Sequence, residues 1–146
     1  MSRFAAFAFA AALCALSFQA QAEERIPVVA AENFYAGIAE AVGGPRVAVK
    51  AVMSNPDQDP HLFETSPSVA RDISAARLVI YNGADYDPWA EKMIAAARND
   101  SRAVIVVADL VGRKTGDNPH LWYDPATAPA VARAIAEKLA TIDPAH

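Results

Sequence analysis

Cysteine is nearly missing from this sequence. The single copy, Cys14, sits inside an N-terminal apolar run, so the rest of the chain has no disulfide framework, no thiol nucleophile and no cysteine cage for zinc. Basic clusters are missing as well. The 13 Lys and Arg residues are scattered among 17 Asp and Glu, with no run longer than Arg113-Lys114, for a net charge of −4. Such a surface offers no footprint for nucleic acid or for an anionic membrane. Glycine motifs fail too: there is no G-x-G-x-x-G, and Gly43-Gly44-Pro45 closes a helical pattern instead of following a strand. The chain also lacks a G-x-S-x-G elbow and an H-E-x-x-H pair, and Asp57/Asp59 lack the glycine and terminal glutamate of a calcium loop. Histidine is scarce, with three copies.

What is present begins with a leader. Met1 to Arg3 is a short basic start, Phe4 to Phe18 is apolar, and Ala20-Gln21-Ala22 supplies the small residues that a signal peptidase reads. Residues 1–22 are therefore expected to be a signal peptide. The apolar run falls short of the ~20 residues that span a bilayer, so no membrane insertion is expected after cleavage. Cys14, with Leu13 directly before it and apolar residues after it, reads as part of that run and not as a lipidation site. The remainder has the size of one exported domain.

Four short apolar runs in that remainder read as buried strands: 26-IPVVAA-31, 46-RVAVKAVM-53, 77-RLVIYN-82 and 103-AVIVVA-108. Their near-continuous Val and Ile content suits parallel strands covered on both faces. Helical stripes lie between and after them: Phe34/Ile38/Val42, Val69/Ala70/Ile73, Trp89/Met93/Ile94/Ala97 and Val131/Ile135/Leu139/Ile142. Three Asp-Pro pairs (Asp87-Pro88, Asp124-Pro125, Asp143-Pro144) read as helix starts, with aspartate as cap and proline at the first helical position. Alternating strands and helices give the α/β class, with a four-stranded, mostly parallel sheet flanked by helices and right-handed crossovers.

Two of the three histidines share a local phrase, Pro-His-Leu-aromatic, at His61 and His120. His61 follows the second strand and His120 the fourth. Both loops leave carboxyl ends of strands, where open α/β sheets bind ligands. Each preceding proline narrows the loop's conformations, and the Leu-aromatic pairs that follow (Leu62-Phe63, Leu121-Trp122) are expected to anchor the loops in the core. Neutral imidazoles so placed suit zinc, manganese or iron, and His61 and His120 are the candidate metal ligands. Asp57, Asp59, Glu64 and Asp124 stand near as acceptors for the other ring N–H or as ligands, although Asp124 reads first as a helix cap. His146 has no supporting context.

The combination of 54-SNPDQDPHLFETSPS-68, 78-LVIYNGADYDPW-89, 117-DNPHLWYDP-125 and 29-VAAENFY-35 resembles the periplasmic metal-binding proteins of zinc- and manganese-type ABC importers. The resemblance implies one lobe of a two-lobed binding protein, with residues 23–142 as the N-terminal metal-binding lobe and 143–146 opening a linking helix. It implies two histidine ligands from this lobe, mapping onto His61 and His120, and a histidine or glutamate and an aspartate from a second lobe. It further implies Zn(II) or Mn(II) as transported ligand, an ABC-type membrane permease as partner, a periplasmic location and no enzymatic activity. The sequence departs from many zinc members in the loop ahead of the second histidine, which is not histidine-rich (109-DLVGRKTGDN-118). A secreted metal-dependent hydrolase, with Asp59 or Glu64 as base to a metal-bound water, is the alternative from the enzyme class. A surface adhesion domain with incidental histidines is the structural one.

Overall fold

The first predicted strand forms as β1, Ile26–Glu32, and its side chains divide between two cores. In the computed structural model, which describes residues 24–146, Val28 and Ala30 point into one cluster and Val29 and Ala31 into another. A strand covered on both faces needs apolar residues at every position. That is why the run is continuous and does not alternate. The expected signal peptide lies outside the described residues.

The sheet has the order β2-β1-β3-β4, with β2 at Val47–Met53, β3 at Leu78–Tyr81 and β4 at Ala103–Val106. Every pairing is parallel, with Ala30 opposite both Ala51 and Ile80, and Ile80 opposite Ile105. The two central strands, β1 and β3, are the most buried. From β1 the chain winds outward to β2 on one side, then to β3 and β4 on the other. The crevice between β1 and β3 at the carboxyl edge is thus the switch point of the sheet, the place where such folds bind ligands.

Helices α1 (Asn33–Gly43) and α5 (Thr127–Ile142) cover one face. Val131 and Ile135 of α5 join Tyr35 and Ala39 of α1 over Val28, Leu78 and Ile80. Helices α2 (Pro67–Ala75) and α3 (Pro88–Ala96) cover the other, with Ile73 and Trp89 over Val29 and Val79. Fully burying a side chain of the size of Ile73 or Ile135 contributes roughly 1.5–3 kcal/mol. Arg102 closes the α2/α3 layer by donating to the carbonyls of Ile73, Ile94 and Ala97, so that part of the α3 C-terminus is capped by a side chain.

Four expectations need correction. The fourth strand stops at Val106, and Val107–Leu110 is a short helix, α4, although Val107 and Ala108 remain buried. A short apolar run does not distinguish a buried strand from a buried helical turn, and here the Ala108 N–H turns to Asn82 O (2.9 Å). Helix α5 starts at Thr127, not at Pro125, because the Asp124 carboxylate takes the Ala126 N–H (2.9 Å) and its carbonyl takes the Thr127 N–H (3.0 Å). Asp87 precedes α3 but does not cap it; its carboxylate is used elsewhere. Leu62 is not an anchor, being 76% exposed, whereas Phe63 stacks on Trp89 and Leu121 is buried as expected. Asp143 stands at the end of α5, where its N–H bonds Leu139 O and its carboxylate pairs with Arg46. Residues 144–145 form a turn.

Candidate metal centre

Both histidine loops are built on the same local device. Asp59 Oδ1 accepts the His61 N–H at 2.9 Å, and Asn118 Oδ1 accepts the His120 N–H at 3.1 Å. Each motif is therefore Asx-Pro-His, in which a side-chain oxygen two residues ahead substitutes for a backbone acceptor and folds a tight turn. A one-turn 3₁₀ segment follows or includes each histidine, Pro60–Leu62 and Leu121–Tyr123. The signal for this was legible in the matched Asp59 and Asn118, a repeat wider than Pro-His-Leu-aromatic.

Hydrogen bonds set the state of both rings. His61 Nδ1 lies 2.9 Å from the backbone carbonyl of Asp85. A carbonyl only accepts, so Nδ1 carries a proton, and in the neutral ring the lone pair is then on Nε2. His120 Nδ1 lies 2.8 Å from Asn118 Oδ1, the same oxygen that receives the His120 backbone N–H. A backbone N–H only donates, so that atom is the oxygen, and His120 Nδ1 must donate as well. In the neutral imidazole both contacts select the Nδ1–H tautomer, which leaves the lone pair on Nε2, the form that ligates divalent metals.

Tyr86 brings the two rings to one place. Its ring meets His61 edge-on at 5.5 Å between centroids and His120 at 5.9 Å, and Trp122 closes the group against both Tyr86 and His120. The loop carrying Tyr86 is strained. Gly83, Ala84 and Asp85 are consecutive residues with positive φ (76°, 51° and 62°), a conformation that costs a non-glycine residue roughly 1–2 kcal/mol. The strain is held by Asp87, whose two carboxylate oxygens accept the Asn82 and Gly83 N–H groups at 2.7 and 2.8 Å.

Below that loop, the switch-point crevice is floored by polar groups that a core normally excludes: Glu32 (3% exposed), Asn82 (0%) and Asp87 (1%). The Asn82 side chain receives the Tyr35 hydroxyl on Oδ1 at 2.6 Å and donates from Nδ2 to the carbonyls of Gly83 and Pro119 at 3.0 and 2.9 Å. Burial, and next the charge of Asp87, lifts the Glu32 carboxyl well above its usual range. Burial also raises Asp87, against the pull of its two N–H donors. Glu32 is consequently the neutral member of the pair and Asp87 the charged one, since only Asp87 has donors to hold a carboxylate. Neither Glu32 oxygen meets a partner at hydrogen-bond geometry, although Asp87 is near enough for its charge to be felt.

Two of the four acidic residues flagged beside the histidines have other employment. Asp59 and Asp124 fold turns, and the acceptors of the ring N–H groups are Asp85 O and Asn118 instead. Asp57, Asp59, Glu64 and Asp124 are all exposed. Among the described residues, no three His, Cys, Asp or Glu side chains gather in a way that could hold a metal ion. His61 and His120 thus stand as a pair around Tyr86, without a third such side chain among the described residues.

Residues 28–146 match the sequence family described as the periplasmic zinc-uptake complex component A, ZnuA. The chain belongs to this family. It is a family of transporter substrate-binding proteins, not of enzymes. The chain is similar to a putative metal-binding protein of Treponema pallidum, 25% identical over 100% of this chain and 52% of the relative. It is also similar to the manganese ABC transporter substrate-binding lipoprotein PsaA of Streptococcus pneumoniae, 25% identical over 83% of this chain and 43% of PsaA. Among solved structures, the periplasmic zinc-binding protein TroA of Treponema pallidum superposes with a TM-score of 0.71 at 23% identity, covering 84% of this chain and 46% of TroA. That likeness shows the fold, a parallel sheet flanked by helices of the periplasmic binding-protein type. The chain spans about half the length of the relatives it matches. No helix among the described residues is long and apolar enough to cross a membrane.

Proposed function

We propose that this chain supplies the His61/His120 half of a metal-cargo site in the solute-binding component of an ABC importer. It captures Zn(II) or Mn(II) outside the cytoplasmic membrane, after export on the leader at residues 1–22, for delivery to a membrane permease. One observation carries the reading. The two imidazoles of one sheet edge meet the same Tyr86 ring, and each is held through Nδ1, which leaves Nε2 as the ring nitrogen available to a metal. Chemically, neutral imidazole pairs suit zinc and tolerate manganese. PsaA and TroA carry manganese and zinc in their names, and both metals stay open for this chain. Residues 143–146 are proposed to lead into a linking segment, with the remaining ligands coming from the half that the longer relatives have in addition.

Two ligands of four hold a metal weakly, so residues 24–146 should bind Zn(II) with far lower affinity than a closed four-ligand site. Calorimetric titration with Zn(II) and Mn(II), beside the His61→Ala/His120→Ala double variant, tests this. Loss of binding in the double variant is expected, and equal binding by both proteins sinks the shared site. Metal-dependent hydrolysis of ester or peptide substrates by the same sample would instead promote the hydrolase alternative.

A further inference from the structure

Both histidine loops are tied to the β3–α3 turn, which belongs to neither. His61 reaches it through the Asp85 carbonyl, and Tyr86, on the same turn, lies between the rings. On the other side, Asn82 Nδ2 holds the carbonyl of Pro119, the residue directly before His120. Asn82 is fully buried, and every polar group it carries is committed. Its N–H goes to Asp87, its own carbonyl receives Ala108, Oδ1 receives Tyr35 and Nδ2 serves Gly83 and Pro119.

We propose that Asn82 is a positioning residue for the metal-cargo site, holding the His120 loop and the Tyr86-bearing turn in one fixed relation so that the two Nε2 atoms serve the same ion. The proposal rests on the His61/His120 reading and adds a role for a side chain that touches no metal. The geometry explains why an amide is needed at this position. One atom must accept from the Tyr35 hydroxyl while the other donates to two carbonyls, and an amide alone among the side chains of this size does both while uncharged. The two carbonyls fix which way the amide faces: Gly83 O and Pro119 O only accept, so Nδ2 meets them and Oδ1 is left to accept from the Tyr35 hydroxyl. Asp87 completes the arrangement from below by locking the Asn82 and Gly83 N–H groups. The carboxyl edge thus carries a three-part relay, Tyr35 to Asn82 to Pro119, that joins helix α1 to the loop of the second histidine. Outer groups that orient a ligand typically change metal affinity by about 10- to 100-fold when removed.

The test compares residues 24–146 as wild type, Asn82→Ala, Tyr35→Phe and Ile135→Val. The last is a core variant on α5 that loosens packing without touching the relay. Each is titrated with Zn(II) and with Co(II), whose visible absorption reports the ligand geometry, at a temperature where thermal unfolding shows the apo protein folded. Asn82→Ala should weaken both metals by about 10- to 100-fold and alter the Co(II) spectrum. Tyr35→Phe, which keeps Asn82 and loses only the hydroxyl, should shift both in the same direction by less. Ile135→Val should lower the unfolding temperature and leave affinity and spectrum unchanged. If Asn82→Ala fails to fold, Tyr35→Phe decides. The proposal is overturned if the relay variants bind Zn(II) as wild type does, or if their losses match that of Ile135→Val. Absence of binding by wild type overturns the histidine-pair reading itself, and the positioning role with it.

Discussion

Replacing Glu32 by glutamine removes one titrating group from the floor of the switch-point crevice, and its effect on stability has a definite sign. The folded carboxyl is held well above the ordinary value of 4.5 by burial and by Asp87, whereas the unfolded one titrates near that value. Between the two, the unfolded chain has released a proton that the folded chain keeps, so unfolding is drawn forward as pH rises. Stability therefore falls by about 1.4 kcal/mol per pH unit on account of Glu32 alone, beginning just above the unfolded value and ending where the folded carboxyl itself ionises. Asp87, also raised, acts in the same direction and is present in both proteins. Tyr35, Tyr81 and Tyr86, the tyrosines that feel the pair, are pushed up from an already high value and stay neutral through this range. Glutamine has no proton to lose, so Glu32→Gln should show a flatter profile and gain on wild type with each pH unit. Any fixed cost of the new amide shifts its curve without changing the slope. Urea denaturation at intervals from about pH 5 to about pH 7, in chelator to exclude metal, reads the difference. Parallel profiles for the two proteins would refute the assignment of Glu32 as the proton-bearing member.

Gly83→Ala should destabilise the chain by about 1–3 kcal/mol, because the position has φ +76° and a Cβ there would come within 2.8 Å of Val106 Cγ1 and 3.1 Å of Ala108 Cβ. Thermal unfolding measures that loss, and the same variant should bind Zn(II) more weakly, since the turn carries the Asp85 carbonyl that orients His61. Ser66→Ala removes the N-cap of α2, where Ser66 Oγ accepts the Val69 N–H. It should cost about 1 kcal/mol in denaturant titration and leave metal affinity untouched.

Much of this architecture was readable from periodicity. The continuous runs around Val28, Val79 and Ile105 and the stripe Val131/Ile135/Leu139/Ile142 report burial directly, because a residue's face is set by the period of its element. Burial on both faces follows from the same runs. The histidine pair was readable for a related reason: the parallel α/β topology sends the loops after β2 and β4 to one edge.

Sequence by itself determined the strands, the covering helices, the class of fold and the edge on which His61 and His120 stand. These depend on local pattern and on chain order. Only the tertiary structure decided what those histidines touch. The partners of their rings are a carbonyl at Asp85, 24 residues from His61, and an amide at Asn118 whose role depends on its rotamer. The Tyr35–Asn82–Pro119 relay spans three elements, and the Glu32/Asp87 pair joins the end of β1 to the start of α3. Polar groups such as these carry no periodic signal. Asp87 looks like an ordinary helix cap until the turn beside it folds left-handed and supplies two N–H groups that need an acceptor.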